Sequence, residues 1–383
     1  MLTGAALSRF RKKLLAWFAQ SQRDLPWRHT KDPYRIWLSE IMLQQTRVAA
    51  VIPYYNKFVE RFPTVRALAE APEEEVLRLW AGLGYYSRAR NLQKAARQVV
   101  EKHNSRFPDG AEKALELSGI GQYTAAAILS IAYGKRLGVL DGNVARVLAR
   151  LEAIRGDVRS NSRWRKLQHT ANALLAPRAP GDWNQAMMEL GATICTPRGP
   201  QCLLCPVAES CQARKRGLTE VIPEKRAKRA NEQITLAAIA LTDAQGRTLL
   251  LPPPKAGRKD AREADVRVLL SRLWHFPTIQ VRLDAEAELR RFVAKIFGSR
   301  LAAGKFIPLK RVRHAVTYRQ IAVCPFRLEV GRLPSLADGR ALLLSDLSSV
   351  PISNLTLKVA RAALAPEVRE KTSDKTQSSF FRF

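Results

Sequence analysis

Residues 117–125 read LSGIGQYTA, from Leu117 to Ala125. Two glycines one residue apart, flanked by apolar residues at helical spacing, predict a helix over Ala114 to Ser118 and a tight turn at Gly119-Ile120-Gly121. A second helix should follow from Gln122 to Tyr133, since glycine reaches backbone conformations too sharp for side chains. The first amides of that helix point outward, where its dipole favours an anion. Gly119 and Gly121 are therefore candidate phosphate contacts. A lone Gly-x-Gly is also an ordinary turn between helices, so the decision rests on the rest of the chain.

Working outward, apolar residues recur at helical spacing from Leu7 to about Val100, with breaks at Pro33, Pro63 and Pro72. Downstream, Asp141-Gly142-Asn143 should open a third helix over Val144 to Arg150, with Asp141 as its N-cap. From Ala213 to Gln233 the chain is charged and nearly free of large apolar residues, which reads as a linker. Beyond it the periodicity changes. ITLAAIALTD and RTLLLP flank Ala244-Gln245-Gly246 as a hairpin, Gln320 to Val330 is strand-like, and Asp284 to Phe297 reads as an amphipathic helix. The expected organisation is a mainly α domain over 1–212, a basic linker over 213–233, an α+β domain over 234–366 and a disordered tail over 367–383.

Length and charge agree with two folded domains that meet a polyanion. The chain has 383 residues, enough for two domains to bury cores without disulfides. Its formal net charge is +30, divided as +13 over residues 1–212, +4 over 213–233 and +13 over the remainder. An excess spread so evenly points to both domains facing a phosphate backbone. An unspecific basic surface is the plainer reading. The longest apolar run, Ala125 to Tyr133, falls short of a membrane span. The opening MLTGAALSRFRKK lacks the form of a secretory signal, so the chain is expected in the cytoplasm, associated with the nucleoid if bacterial, as a monomer.

Four of the five cysteines, Cys195, Cys202, Cys205 and Cys211, cluster with spacing C-x6-C-x2-C-x5-C. In a reducing compartment such a cluster is a metal site rather than a disulfide framework. One C-x2-C pair is unlike the paired knuckles of most zinc sites, and four thiolates in one loop can wrap an iron-sulfur cube. Zinc is the alternative.

The hairpin, the aspartate after it and the cysteine loop together resemble the helix-hairpin-helix DNA glycosylase superfamily. RDLPWR (Arg23 to Arg28), WLSEIMLQQTRV (Trp37 to Val48), GLGYYSRARNL (Gly82 to Leu92), LDGNVARVL (Leu140 to Leu148) and NQAMMELGATIC (Asn184 to Cys195) narrow the resemblance to its adenine-specific mismatch glycosylases, the MutY type. The resemblance spans nearly all of residues 8–212. It implies excision of an adenine flipped out from opposite 8-oxoguanine or guanine in double-stranded DNA, and a [4Fe-4S] cluster on the four cysteines.

That chemistry requires a proton for the departing base and a negative charge beside an oxocarbenium-like sugar. Glu40 is the natural acid: it is the only ionisable group in IWLSEIML, where burial would raise its pKa. A helix-surface glutamate is the bland reading. The resemblance makes Asp141 the charged partner and places Asn143 near the sugar. Tyr123 stands where lyase-type relatives carry a Schiff-base lysine, and a phenol cannot form that adduct. The chain is therefore expected to excise a base without efficient strand cleavage. Gln45 and Tyr85 match the residues that fill the hole left by the flipped base. Gln185 suits adenine, and Arg23, Leu25 and Arg28 match a segment contacting the lesion strand or adenine pocket.

The second domain resembles the family's Nudix-like C-terminal domain through Leu273-Trp274-His275-Phe276-Pro277. His275 replaces a usual glutamate, so Nudix hydrolysis is not expected. Thr317 and Tyr318, in RHAVTYRQ, align with the loop that senses 8-oxoguanine, where the family often has Phe-Ser-His. Two alternatives stay open: a pyrimidine-lesion glycosylase/lyase of the same superfamily, and a non-catalytic mismatch-binding protein.

Overall fold

The central element of the first unit is a helix that is hydrophobic all round, and such a helix must lie inside. In the computed structural model, which describes residues 2–224, 230–253, 273–336 and 338–365, that helix is α8 (Gln122–Tyr133), and its residues Thr124 to Ile131 are all buried. It packs against α2 (Pro33–Leu43) and α11 (Pro180–Thr193). The chain divides into two compact units, Met1–Lys228 and Arg229–Phe383.

The first unit is helical throughout. α1 (Gly4–Ser21) precedes α2, and α3 (Val48–Arg61), α4 (Val65–Glu70), α5 (Glu73–Trp80) and α6 (Ser87–Lys102) follow it. After α7 (Ala111–Leu115) and α8 come α9 (Gly142–Leu151), α10 (Asn161–Leu174), α11 and the short α12 (Gln212–Lys215). Pro33 and Pro63 act as the sequence predicts, but Pro33 opens α2 at its first position, where the missing N–H costs nothing. Phe10, Leu14 and Phe18 of α1 meet Val144, Val147 and Leu148 of α9 and Trp183, Met187 and Leu190 of α11 in one core. Asn184, fully enclosed, donates to Ser130 Oγ at 2.9 Å and to the Leu137 carbonyl at 2.8 Å, and accepts from the Val139 amide at 3.1 Å. It thereby fixes the strand-like segment that delivers Asp141.

The expected linker starts too early. Ala213 and Ile222 are buried against Ala149 of α9, and the Arg150 guanidinium donates to the Ile222 carbonyl at 2.7 Å, so residues 213–224 pack on the helical unit despite their charge. Few apolar residues sufficed, because those few are placed where α9 needs cover.

The second unit is α+β, as expected. Its mixed sheet runs β4 (Ile307–Pro308), β6 (Arg319–Glu329), β1 (Glu232–Thr242), β2 (Arg247–Leu250), β7 (Arg340–Leu343), with β3 (Thr278–Gln280) also on β1 and β5 (Val312–Val316) on β6. β1 and β6 pair in parallel from Glu232↔Arg319 to Thr242↔Glu329, and the other ladders are antiparallel. Alternation along β1 divides two cores: Ile234, Leu236 and Ala238 share one with Leu355 and Val359 of the last helix, while Ala237, Ile239 and Leu241 face Leu289 and Val293 of α13 (Ala285–Phe297). A short α14 (Ser299–Ala302) and the unforeseen α15 (Asn354–Leu364) are the other helices among its described residues. The expected disordered tail lies outside the described residues.

Candidate active site

α2 ends by placing Glu40 inside the protein, 6% exposed. Its Oε2 accepts from the Tyr123 hydroxyl at 2.6 Å, across from the first turn of α8. Burial drives the Glu40 carboxyl upward, the Tyr123 hydrogen bond opposes this and the charge of Asp141 adds to it, leaving the pKa at about 7. The helix-surface reading of Glu40 is thereby excluded. Tyr123 is driven well above its ordinary value by burial and by the two carboxylates, so it stays a neutral phenol, and it also points at Met188 Sδ, 3.5 Å away.

Asp141 caps α9, accepting from the Val144 amide at 2.7 Å through Oδ1 and from Asn143 Nδ2 at 3.1 Å through Oδ2. Burial raises its pKa; the Val144 and Asn143 amides, the Arg146 charge and the Asn143 side chain pull the other way, each by favouring the ionised form. The two carboxyls thus differ in kind: Glu40 has one phenol for company, Asp141 a set of donors and a cation. Asn143 accepts from Arg146 at 2.8 Å, and Arg146 also donates to the carbonyls of Gly191 at 2.8 Å and Cys195 at 2.7 Å. A side chain at Gly191 would stand 2.7 Å from Asn143 Cβ, so glycine permits this close approach of α11.

The turn and α8 form as the sequence predicts, but the helix before them is α7 (Ala111–Leu115) rather than Ala114 to Ser118, since the chain already leaves the helix at Glu116 to reach the turn, and the two glycines differ. Gly119 takes φ +79, and a Cβ there would lie 2.8 Å from Asn91 Cβ. Gly121 has an ordinary φ of −99 and open space around it, so the turn does not require glycine there. Ile120 is buried between two exposed neighbours and anchors the turn, and no side chain caps α8.

Gln45 and Tyr85 are exposed at the ends of two turns, both with left-handed backbones at φ +57 and +48. Such conformations cost about 1–3 kcal/mol each for non-glycine residues and cluster at functional sites. Gln185 is half-buried on α11, one turn before Glu189. Glu189 was not foreseen. It is buried and accepts from Arg23 at 2.7 and 2.8 Å and from Arg28 at 2.7 Å. Burial alone would raise its pKa, but the hydrogen bonds and charges of the two arginines bring it to about 2. Arg23 and Arg28 are therefore held in an ion cluster rather than loose in solvent, and Leu25 between them is buried at 5% exposure, a packing residue. The signal available in the sequence was the helical spacing of Gln185 and Glu189.

Cys195, Cys202, Cys205 and Cys211 are all half-buried. Burial pushes the Cys205 thiol up to about 11, the Val207 amide pulls it down, and Cys195, Cys211 and Cys202 each push further, so the four lie within electrostatic reach of one another. Among the described residues no group of three or more such ligands converges as a single ion demands. Arg150 donates to Cys195 Sγ at 3.2 Å and to the Thr196 carbonyl at 2.7 Å, giving the loop a cationic partner. In the second unit, Thr317 and Tyr318 form the tip of the β5–β6 hairpin. Thr317 is exposed at φ +55 and donates to the Val316 carbonyl at 2.7 Å, and Tyr318 is half-buried with the Arg319 guanidinium 5.5 Å from its ring.

Residues 38–177 match the family model of HhH-GPD superfamily base excision DNA repair proteins. An adenine DNA glycosylase of Schizosaccharomyces pombe is 32% identical over 429 aligned positions, covering 97% of this chain and 93% of that protein. The chain belongs to the adenine DNA glycosylase family. The human adenine DNA glycosylase is 51% identical over 221 residues, 55% of this chain but 40% of the human protein, so the chain spans less than half the length of that relative. A solved structure of a thermostable thymine-DNA glycosylase aligns with a TM-score of 0.51 and 31% identity, covering 55% of this chain and 97% of that one. Within this adenine DNA glycosylase family member, Glu40 pairs with Tyr123 and Asp141 with Asn143, the charge of Asp141 reaches both members of the first pair, and Arg146 ties Asn143 to the cysteine loop.

Proposed function

We propose that this chain hydrolyses the N-glycosidic bond of adenine mispaired with 8-oxoguanine or guanine in double-stranded DNA, as a monofunctional glycosylase. The observation that carries the reading is the buried Glu40 carboxyl, held at about 7 beside the ionised-form donors of Asp141. Because Tyr123 donates to Oε2, the Glu40 proton is left on Oε1 for the departing base. Asp141 then stabilises the cationic sugar as the bond lengthens and water completes the hydrolysis. A neutral phenol at Tyr123 supplies no amine, so the sugar is not captured as a Schiff base.

Phosphates are gripped at the Gly119–Gly121 turn, Gln45 and Tyr85 fill the vacated stack, and Gln185 reads the extruded adenine. Arg28 and Arg23, fixed by Glu189, shape the wall of that pocket. Cys195, Cys202, Cys205 and Cys211 hold a [4Fe-4S] cluster. When bound it supplies no electrons to a hydrolysis; it fixes a loop that Arg146 and Arg150 tie to α9. Thr317 and Tyr318 sense the opposite base, with Thr317 keeping the hydroxyl of the family's usual serine.

The test is single-turnover excision on duplexes with adenine opposite 8-oxoguanine, guanine, cytosine or thymine, with borohydride present in parallel. Excision from the first two and no efficient covalent trapping are expected. A chain that traps strongly, or one that binds mispairs without releasing adenine, would overturn the reading in favour of a lyase or a binding protein.

A further inference from the structure

Gln45 and Tyr85 sit on turns that are far apart in sequence yet share an unusual backbone. Neither residue is glycine, and a side chain keeps a left-handed conformation only where its surroundings over-determine it. The surroundings here converge on Arg88, in the first turn of α6. One of its amino groups donates to the carbonyls of Ile41, Met42 and Gln44 at 2.8, 3.0 and 2.5 Å. These are the last carbonyls of α2 and its C-cap, which have no helical partner and form the negative end of the helix dipole. The other amino group donates to Thr46 Oγ1 and to the carbonyls of Leu83 and Gly84, each at 3.2 Å.

The same guanidinium lies 5.3 Å from the Tyr85 ring and 5.5 Å from the Trp80 ring. Burial lowers its pKa to about 10, which still leaves it charged at neutral pH. One planar cation therefore closes both turns: it takes acceptors on either side of Gln45 and immediately before Tyr85. A lysine could do this only in part, because a single ammonium lacks the fork that spans two backbones.

We propose that Arg88 is a positioning residue for base extrusion, a cation that fixes the Gln45 and Tyr85 turns to one another so that both side chains enter the duplex as one preformed wedge. This rests on the glycosylase reading above. A wedge held ready spends none of its binding energy on ordering, so its loss should tell on the step that empties the stack and not on bond cleavage.

The experiment compares the full chain with Arg88→Gln and Arg88→Lys on two substrates, each rate normalised to the unmodified chain on the same DNA. One substrate holds adenine in a mispaired duplex; the other holds it as an unpaired single-nucleotide bulge, already partly out of the stack. Arg88→Gln should slow single-turnover excision from the mispair by about tenfold to a hundredfold and from the bulge by less than about threefold. Arg88→Lys should fall between. Fluorescence of 2-aminopurine beside the target, which rises on unstacking, should decline in the same order. Equal slowing on both substrates would show a merely structural arginine, and no slowing would show that the wedge needs no clamp; either overturns the proposal. Should Arg88→Gln fail to fold, Arg88→Lys makes the same comparison. An unmodified chain that excises from neither substrate defeats the glycosylase reading instead, so the two failures are distinguishable.

Discussion

At Glu40 the burial that keeps a proton on the carboxyl works against stability at neutral pH. Its carboxyl is ordinarily near 4.5 and stands at about 7 in the fold. Below 4.5 it is protonated whether the chain is folded or not, and burial then costs no charge. As pH rises from there, the unfolded chain releases the proton while the folded one keeps it, so stability falls through about 7 and levels off at a loss of up to about 3 kcal/mol. Glu40→Gln removes both the proton and this dependence. Excision should drop by at least about a hundredfold while DNA binding persists, and urea unfolding at pH 8 should show the variant more stable than the parent, with the difference gone at pH 4. In the unmodified chain the excision rate should decline as pH rises through about 7. A variant that cuts at the parent rate would place the acid elsewhere.

At the scale of an element, the two glycines of the hairpin look alike in sequence and differ in the fold. Gly119→Ala would put a Cβ against Asn91 in a left-handed backbone and should cost about 2 kcal/mol, read as a lowered unfolding midpoint. Gly121→Ala meets open space at an ordinary φ and should stay within about 0.5 kcal/mol of the parent. Equal losses would mean that the turn has another geometry. The cysteine loop allows a second test. If its thiolates hold iron and sulfide, the purified protein should be brown with broad visible absorption, and Cys202→Ser should weaken that colour or prevent soluble expression. A colourless, zinc-loaded and fully active protein would refute the cluster.

Over the whole molecule the dominant quantity is charge. A net +30 spread along both units should make DNA affinity fall steeply with salt, by a slope of about −0.9 in log–log form for every phosphate neutralised. Titrations of a mispaired duplex between low and physiological salt measure it directly, and a flat response would return the excess to an unspecific surface. Glu40→Gln should share the parent's slope, since a buried carboxyl meets no phosphate.

The class of each unit, the tight turn, the cap at Asp141, the cysteine grouping and the one carboxyl set among apolar residues, Glu40, were legible in the sequence. These are local matters: periodicity, glycine placement, spacing of thiols, and one carboxyl in an apolar run. Composition misled at residues 213–224, where Ala213 and Ile222 cover α9 in spite of the charges around them. What the tertiary structure alone decided depends on residues remote in the chain. Glu189 meets Arg23 and Arg28 across 166 and 161 positions, and Arg88 meets the end of α2 across 47 to 42. No local pattern marks such partners, because an arginine destined for a buried carboxylate or a row of carbonyls is, in sequence, indistinguishable from one destined for a phosphate. Only the packing of α2, α6 and α11 removes water from these groups, and with it the ambiguity of their roles.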